Sequence, residues 1–102
     1  MQVWRLEKKL EKEICEYADA MGLLHIKMNL WGNNGWPDRC FFPKGHNAFF
    51  IEFKRSENDE PRKLQVYRHQ ELVKRGYHVY TCYSAGQAIK VIHSEAISET
   101  QY

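Results

Sequence analysis

The sequence predicts an α/β domain whose elements run in the order αβββαβα. Two patterns carry that reading: apolar residues recur every three or four positions in three separate stretches, and β-prone runs bounded by turn residues fill the gaps between them. At 102 residues the chain has room for a single modest core, so the elements belong to one domain spanning residues 1–102.

The first stretch runs from Val3 to Met21, where Val3, Leu6, Leu10, Ile14, Tyr17 and Met21 line one helical face and Gly22 is placed to stop the helix. LLHIKMN, Leu23 to Asn29, alternates Leu24, Ile26 and Met28 with His25, Lys27 and Asn29, the period of a half-buried strand. LWGNNGWP breaks it with glycines, asparagines and a proline. RCFF and AFFIEFK are two further β-prone runs, joined by PKGHN, a Gly-containing connection that suits a hairpin. RSENDEPR is a polar loop in which Asn58 or Asp59 supplies a helix cap and Pro61 an early helical position, so the second helix is expected from about Pro61 to Arg75, ending at Gly76. YHVYTCY reads as the last strand, and Ser84 caps a final helix, AGQAIKVIHSEA, with Ala88, Ile89 and Ile92 inward.

Composition narrows the function classes. An apolar content of 43% is that of a folded protein, yet no window approaches a membrane span, and MQVWRLEKKLEKEI carries charges throughout instead of an apolar signal core. A soluble, unexported, cytoplasmic chain is expected. Cys15, Cys40 and Cys82 are odd in number and lack any C-x-x-C pairing, which speaks for reduced core thiols over a disulfide framework or a zinc site. Nor do the five histidines show ligand spacing. The net charge of +2 is too small to argue for nucleic acid by itself.

The chemistry sits in GWPDRCFFPKGHNAFFIEFKRS, Gly35 to Ser56. Strand periodicity sends Phe49, Ile51 and Phe53 to one face and Phe50, Glu52 and Lys54 to the other, so an acid and an amine project side by side from an otherwise apolar strand. The hairpin folds Asp38 toward Glu52 and Lys54. Each piece alone has an ordinary structural reading: Pro-Asp marks turns, and Glu-x-Lys on a strand is commonly a solvated charge pair. Together they ask for more, because two carboxylates brought together repel and a divalent cation with oxygen ligands, Mg²⁺ or Mn²⁺, relieves the repulsion. On the second helix Gln65 falls between Leu72 and Val66, Val73 on the helical wheel, which turns an amide inward. On the first helix Glu7 and Glu13 border the apolar stripe and can reach inward, Glu11 less easily.

At these residues the chain resembles the VRR-NUC family, the virus-type replication-repair nucleases of the PD-(D/E)xK, restriction-endonuclease-like superfamily. GWPD, then IEFK, then Gln65 eleven residues before Gly76 carry the resemblance, and a helix-1 glutamate fifteen residues before Gly22 selects Glu7. The resemblance implies a restriction-endonuclease-like core, αβββαβ(α), with a mixed central sheet flanked by helices. It implies that Asp38, Glu52 and the backbone carbonyl of Phe53 bind Mg²⁺ or Mn²⁺, and that Glu7 completes the metal shell directly or through water. Lys54 would orient or activate the attacking water, and Gln65 would support Lys54 or the scissile phosphate. It also implies a metal-dependent DNA endonuclease acting on branched DNA, similar to a Holliday-junction resolvase, in a bacterial or phage-infected cell.

Basic residues lie where a duplex can rest: Lys8, Lys9 and Lys12 on the outer face of the first helix, Arg39 beside Asp38, and Arg55, Arg62 and Lys63 after Lys54. Trp31 and Trp36 flank GNNG, either as plugs of the core or as aromatics offered to unstacked bases. Paired cuts at a junction favour a homodimer, built through the segment around Trp4 or through the last helix, whose Val91 lies away from its inner side. The alternatives are a flap or single-strand nickase and a nucleic-acid-binding module that does not cleave.

Overall fold

The apolar repeats and β-prone runs become, in a computed structural model that describes residues 3–28 and 35–96, three helices and one four-stranded sheet among the described residues. Chain order is α1 (Val3–Ala20), β1 (Leu24–Lys27), β2 (Arg39–Phe42), β3 (Phe49–Phe53), α2 (Lys63–Lys74), β4 (His78–Cys82) and α3 (Ala85–Ala96). The strands lie in the order β1-β2-β3-β4. Short connections make β2 antiparallel to both β1 and β3, whereas the crossover through α2 makes β4 parallel to β3. The sheet is therefore mixed, in the restriction-endonuclease-like arrangement.

β3 is the spine. It is buried along its whole length because β2 and β4 flank it and helices cover both of its faces. Phe49, Ile51 and Phe53 join Phe41, Cys82, Ile14 and Ala18 of α1, and Ala88 and Ile92 of α3 in one core cluster. Each such aliphatic or aromatic side chain contributes about 1.5–3 kcal/mol when fully buried. α1 ends where Gly22 takes φ 74°, a conformation glycine adopts without a Cβ clash, and Leu23 N–H returns to the Ala18 carbonyl at 2.8 Å. Cys15, Cys40 and Cys82 are free and buried, and burial pushes the thiols of Cys40 and Cys82 up to about 11.

Three local expectations change. In β1 the apolar side of the alternation is the exposed one: Leu24 is 64% and Ile26 47% exposed, while the His25 ring tilts onto Phe41 at 5.7 Å and bonds Asp19 at 2.8 Å. Register explains it. Leu24 pairs with Phe42 and Ile26 with Cys40 on the face that α2 shares, but α2 packs over β4, so Leu24, Ile26 and Phe42 lie beyond its reach. α1 packs on β1 and α3 from the other side.

The second change concerns the start of α2, which begins at Lys63 with an extended Arg62 as its N-cap. Asn58 N–H and Asp59 N–H turn back onto Ser56, at 3.1 Å to its Oγ and 3.1 Å to its carbonyl. The capping acceptor is instead the Gln65 side chain, whose Oε1 receives Arg62 N–H at 3.1 Å. This is half of a capping box, since an arginine side chain has no acceptor to return the bond. Third, Val91 is not spare surface: it is partly buried and packs against the core cluster. Ser84 caps α3 as expected, accepting Gln87 N–H at 3.2 Å.

Candidate active site

The β2–β3 ladder pairs Arg39 with Ile51, so one step further Asp38 falls beside Glu52 and Phe53. Phe53 N–H donates to Asp38 Oδ2 at 2.7 Å, and Met28 N–H donates to the Asp38 carbonyl at 2.9 Å. These bonds fix the aspartate at the head of its strand. Glu52, 5% exposed, turns away from the Phe53 side of β3, and its Oε2 accepts Gln65 Nε2–H at 3.0 Å. Lys54 Nζ stands 3.5 Å from the same oxygen. Glu52 Oε1 is buried with no hydrogen-bond partner among the described residues.

Both carboxyls are held away from their ordinary range. Burial pushes Asp38 up to about 6, with the Phe53 N–H working against it and the charges of Glu11 and Glu7 adding to the rise. Burial, then the neighbouring Asp38, pushes Glu52 up to about 7, with Lys54 opposing. Of two carboxylates sharing a site, one is raised in this way, and here it is Glu52.

A divalent cation fits this pair, because it would meet the orphaned Glu52 oxygen and offset the charge of buried Glu52 and of half-buried Asp38 beside it. The residues that could hold it are Asp38 and Glu52, with the carbonyl of Phe53 as the expected third donor. Among the described residues no cluster of three or more His, Cys, Asp or Glu side chains is gathered around one point. Glu7 is half-buried and its charge reaches both Asp38 and Glu52, but it is not assembled with them into such a cluster. Glu11 is committed elsewhere, to Arg39 at 2.7 Å and Lys27 at 3.3 Å, and Glu13 is exposed.

Gln65, 3% exposed, ties the amine to the acid. Its Oε1 accepts from Arg62 N–H and from Lys54 Nζ at 3.4 Å, while its Nε2 donates to Glu52, so each end of the amide has a fixed task. An ammonium held beside the buried Glu52 carboxylate can face an anionic oxygen that approaches from outside.

Beyond Lys54 the site opens into a cavity of about 230 Å³. The sequence reading did not pick out its outer lining of His69, Gln70, Thr81 and Tyr83. One signal existed: His69 follows Gln65 by four residues and therefore shares its face of α2.

The basic residues expected at a phosphate backbone are placed unequally. Arg39 is drawn into the Glu11 pair and to His25 Nδ1 at 3.4 Å, and Arg55 pairs with Asp59 at 3.1 Å. Lys12 pairs with Glu16 at 3.5 Å and, like Lys8, Arg62 and Lys63, lies on the exposed surface. Trp36 is half-buried under Arg68, whose guanidinium sits 4.6 Å from the ring centre. Trp31 and the Trp4 side chain lie outside the described residues. No helix among the described residues is long and apolar enough to cross a membrane.

No protein-family model and no curated protein sequence matches the chain. A solved structure of a VRR_NUC domain is similar to it, at 32% identity and a TM-score of 0.73, over 86% of this chain and 95% of that one. With its αβββαβα order and mixed sheet, and with that identity sustained over nearly the whole of the solved domain, the chain belongs to the VRR-NUC family.

Proposed function

We propose that the protein is a metal-dependent DNA endonuclease that hydrolyses phosphodiester bonds in branched DNA, with a resolvase-like action on four-way junctions. The observation that carries this reading is the pairing of half-buried Asp38 with buried Glu52, one Glu52 oxygen being left without a partner among the described residues while the other meets Lys54 and Gln65. Asp38, Glu52 and the Phe53 carbonyl would hold Mg²⁺ or Mn²⁺, with Glu7 reaching it through water. Such a cation, when bound, lowers the pKa of a water ligand and stabilises charge on phosphoryl oxygens.

The chain's own groups do the rest. Lys54 Nζ–H faces the position of a non-bridging phosphate oxygen or of the attacking water and supplies positive charge as the phosphorane forms. Gln65 keeps that ammonium aimed by accepting one of its protons. With Asp38 pushed up to about 6 and Glu52 to about 7, Glu52 is the one still partly protonated near neutrality, so cation binding requires that it give up its proton and weakens as pH falls. Lys8, Arg62 and Lys63 would rest against phosphates, positioning the strand without reading its sequence.

Incubation of the purified chain with labelled linear, flap, fork and four-way substrates in Mg²⁺ or Mn²⁺ tests the reading. Cleavage of branched arms that stops in EDTA supports it. Preference for flaps or single strands would make the protein a nickase, and DNA binding without scission in either metal would make it a non-cleaving module.

A further inference from the structure

The cavity beside the carboxylate pair is larger than a hydrolytic water requires. It measures about 230 Å³, whereas an apolar cavity of about 150 Å³ is enough for a benzene ring. The parallel register sets Glu52 opposite Thr81, so Lys54 and Tyr83, two residues on in each strand, continue the same face. α2 closes the opposite wall with Val66, His69 and Gln70.

The occupant of such a slot should be uncharged. Lys54 and Glu52 face one another, and Asp59 at the rim is paired with Arg55. Burial, then the charge of Lys54, pulls the His69 imidazole below its usual range and keeps it neutral. What remains is a ring surface on Tyr83, apolar contact from Pro61 and Val66, and two groups, the Gln70 amide and the Thr81 hydroxyl, that each donate and accept. A flat heterocycle with mixed donors and acceptors on its edge matches that lining, and groups that work in both directions do not select among bases. His69 also lines the cavity, and its buried Nε2 has no hydrogen-bond partner among the described residues.

We infer that this cavity receives an unstacked nucleobase of the substrate, the one attached to the phosphate that lies at Lys54. The inference rests on the endonuclease reading, since the cavity shares Glu52, Lys54 and Gln65 with that site. It gives a physical origin for a preference for branched DNA: an unpaired nucleotide costs least to bring out of the stack, so a branch point or bulge supplies what an intact duplex resists.

The test uses a duplex with a single unpaired 2-aminopurine at a branch point, and acrylamide quenching of its fluorescence, in Ca²⁺ with saturation by the full chain confirmed by anisotropy. Bound protein should shield the unpaired base about fivefold and leave a paired 2-aminopurine ten base pairs away unchanged, as expected for a base stacked on an aromatic side chain. Val66→Trp, which fills the cavity, and Tyr83→Ala, which removes its ring, should each abolish the shielding while circular dichroism reports an intact fold. In Mg²⁺, an abasic site at the same position should be cut about tenfold more slowly than the base-bearing strand. Shielding without cleavage of any substrate would keep the pocket and retire the nuclease. Cleavage with equal quenching in free and bound DNA, and equal rates for abasic and base-bearing strands, would overturn the inference and leave the nuclease standing.

Discussion

Asp38 and Glu52 are costly residues for a folded chain to hold side by side. Between their ordinary values of 3.8 and 4.5 and the folded values of about 6 and about 7, the folded chain binds protons that the unfolded chain has released. Stability from this pair is therefore greatest at low pH and is lost as pH rises through that window. The melting temperature of metal-free wild type, relative to an Asp38→Asn, Glu52→Gln double variant, should fall between pH 5 and pH 8, and Mg²⁺ should restore it at pH 8. A difference that grows in favour of wild type with rising pH would contradict the burial argument. Asp38→Asn should abolish cleavage while DNA binding survives. Lys54→Ala should lower turnover by roughly 10² to 10⁴, as for an electrostatic or acid-base group. Turnover at the wild-type rate in the Lys54 variant would remove the amine from the chemistry. The pair was legible in the sequence because a hairpin between Arg39 and Phe53 can fold only in a way that brings Asp38 to Glu52. The outer cavity was not, since Thr81 and Tyr83 come to it through a parallel crossover whose register no local pattern reveals.

Among the elements, α2 carries two duties on one residue. Gln65 satisfies the Arg62 N–H at the helix start and also holds Lys54 and Glu52. Gln65→Met should cost about 1–3 kcal/mol of stability by leaving buried partners unsatisfied, and should lower turnover by roughly tenfold or more as Lys54 loses its aim. Denaturant melts and single-turnover rates separate the two effects. The helical wheel showed that Gln65 points inward, but polar loop chemistry at Asn58 and Asp59 misled the helix start, because a side chain inside the helix outcompeted the expected caps. The face of β1 was misread for a similar reason: alternation marks a strand, yet which side is covered depends on how far α2 extends across the sheet. The glutamates of α1 are distinguishable by the same logic. Glu7→Gln should lower activity with little change in stability, whereas Glu11→Gln should lower stability through the Arg39 and Lys27 pairs. A second packing test is Gly35, at φ 81°, where an added Cβ would lie 2.7 Å from both Leu64 Cγ and the Leu64 carbonyl oxygen of α2. Gly35→Ala should destabilise the fold by about 1–3 kcal/mol, read as a drop in the denaturant midpoint.

At the scale of the whole molecule the question is how one site would serve the branched substrate proposed for it. The chain carries one Asp38, Glu52, Lys54 and Gln65 set, and resolution of a four-way junction needs paired cuts on strands related by an approximate two-fold axis, which an isologous dimer supplies. Charge points the same way. With a net charge of +2 and several of its cations held in internal pairs, such as Arg39 with Glu11 and Arg55 with Asp59, one chain offers a small basic footprint. Two chains double that footprint as well as the number of sites, which steepens the dependence of binding on salt in proportion to the phosphates contacted. Of the surfaces considered for such a dimer, the last helix has less to give than its sequence suggests, because Val91 packs inward. The expected outcome is a particle of twice the chain mass by light scattering at micromolar concentration without DNA, two chains per junction when junction DNA is added, and cleavage whose specific activity falls on dilution below the dissociation constant of the dimer. A chain that stays monomeric in both conditions would remove the resolvase-like action and leave a nuclease that nicks one strand, at a flap or at an unpaired nucleotide.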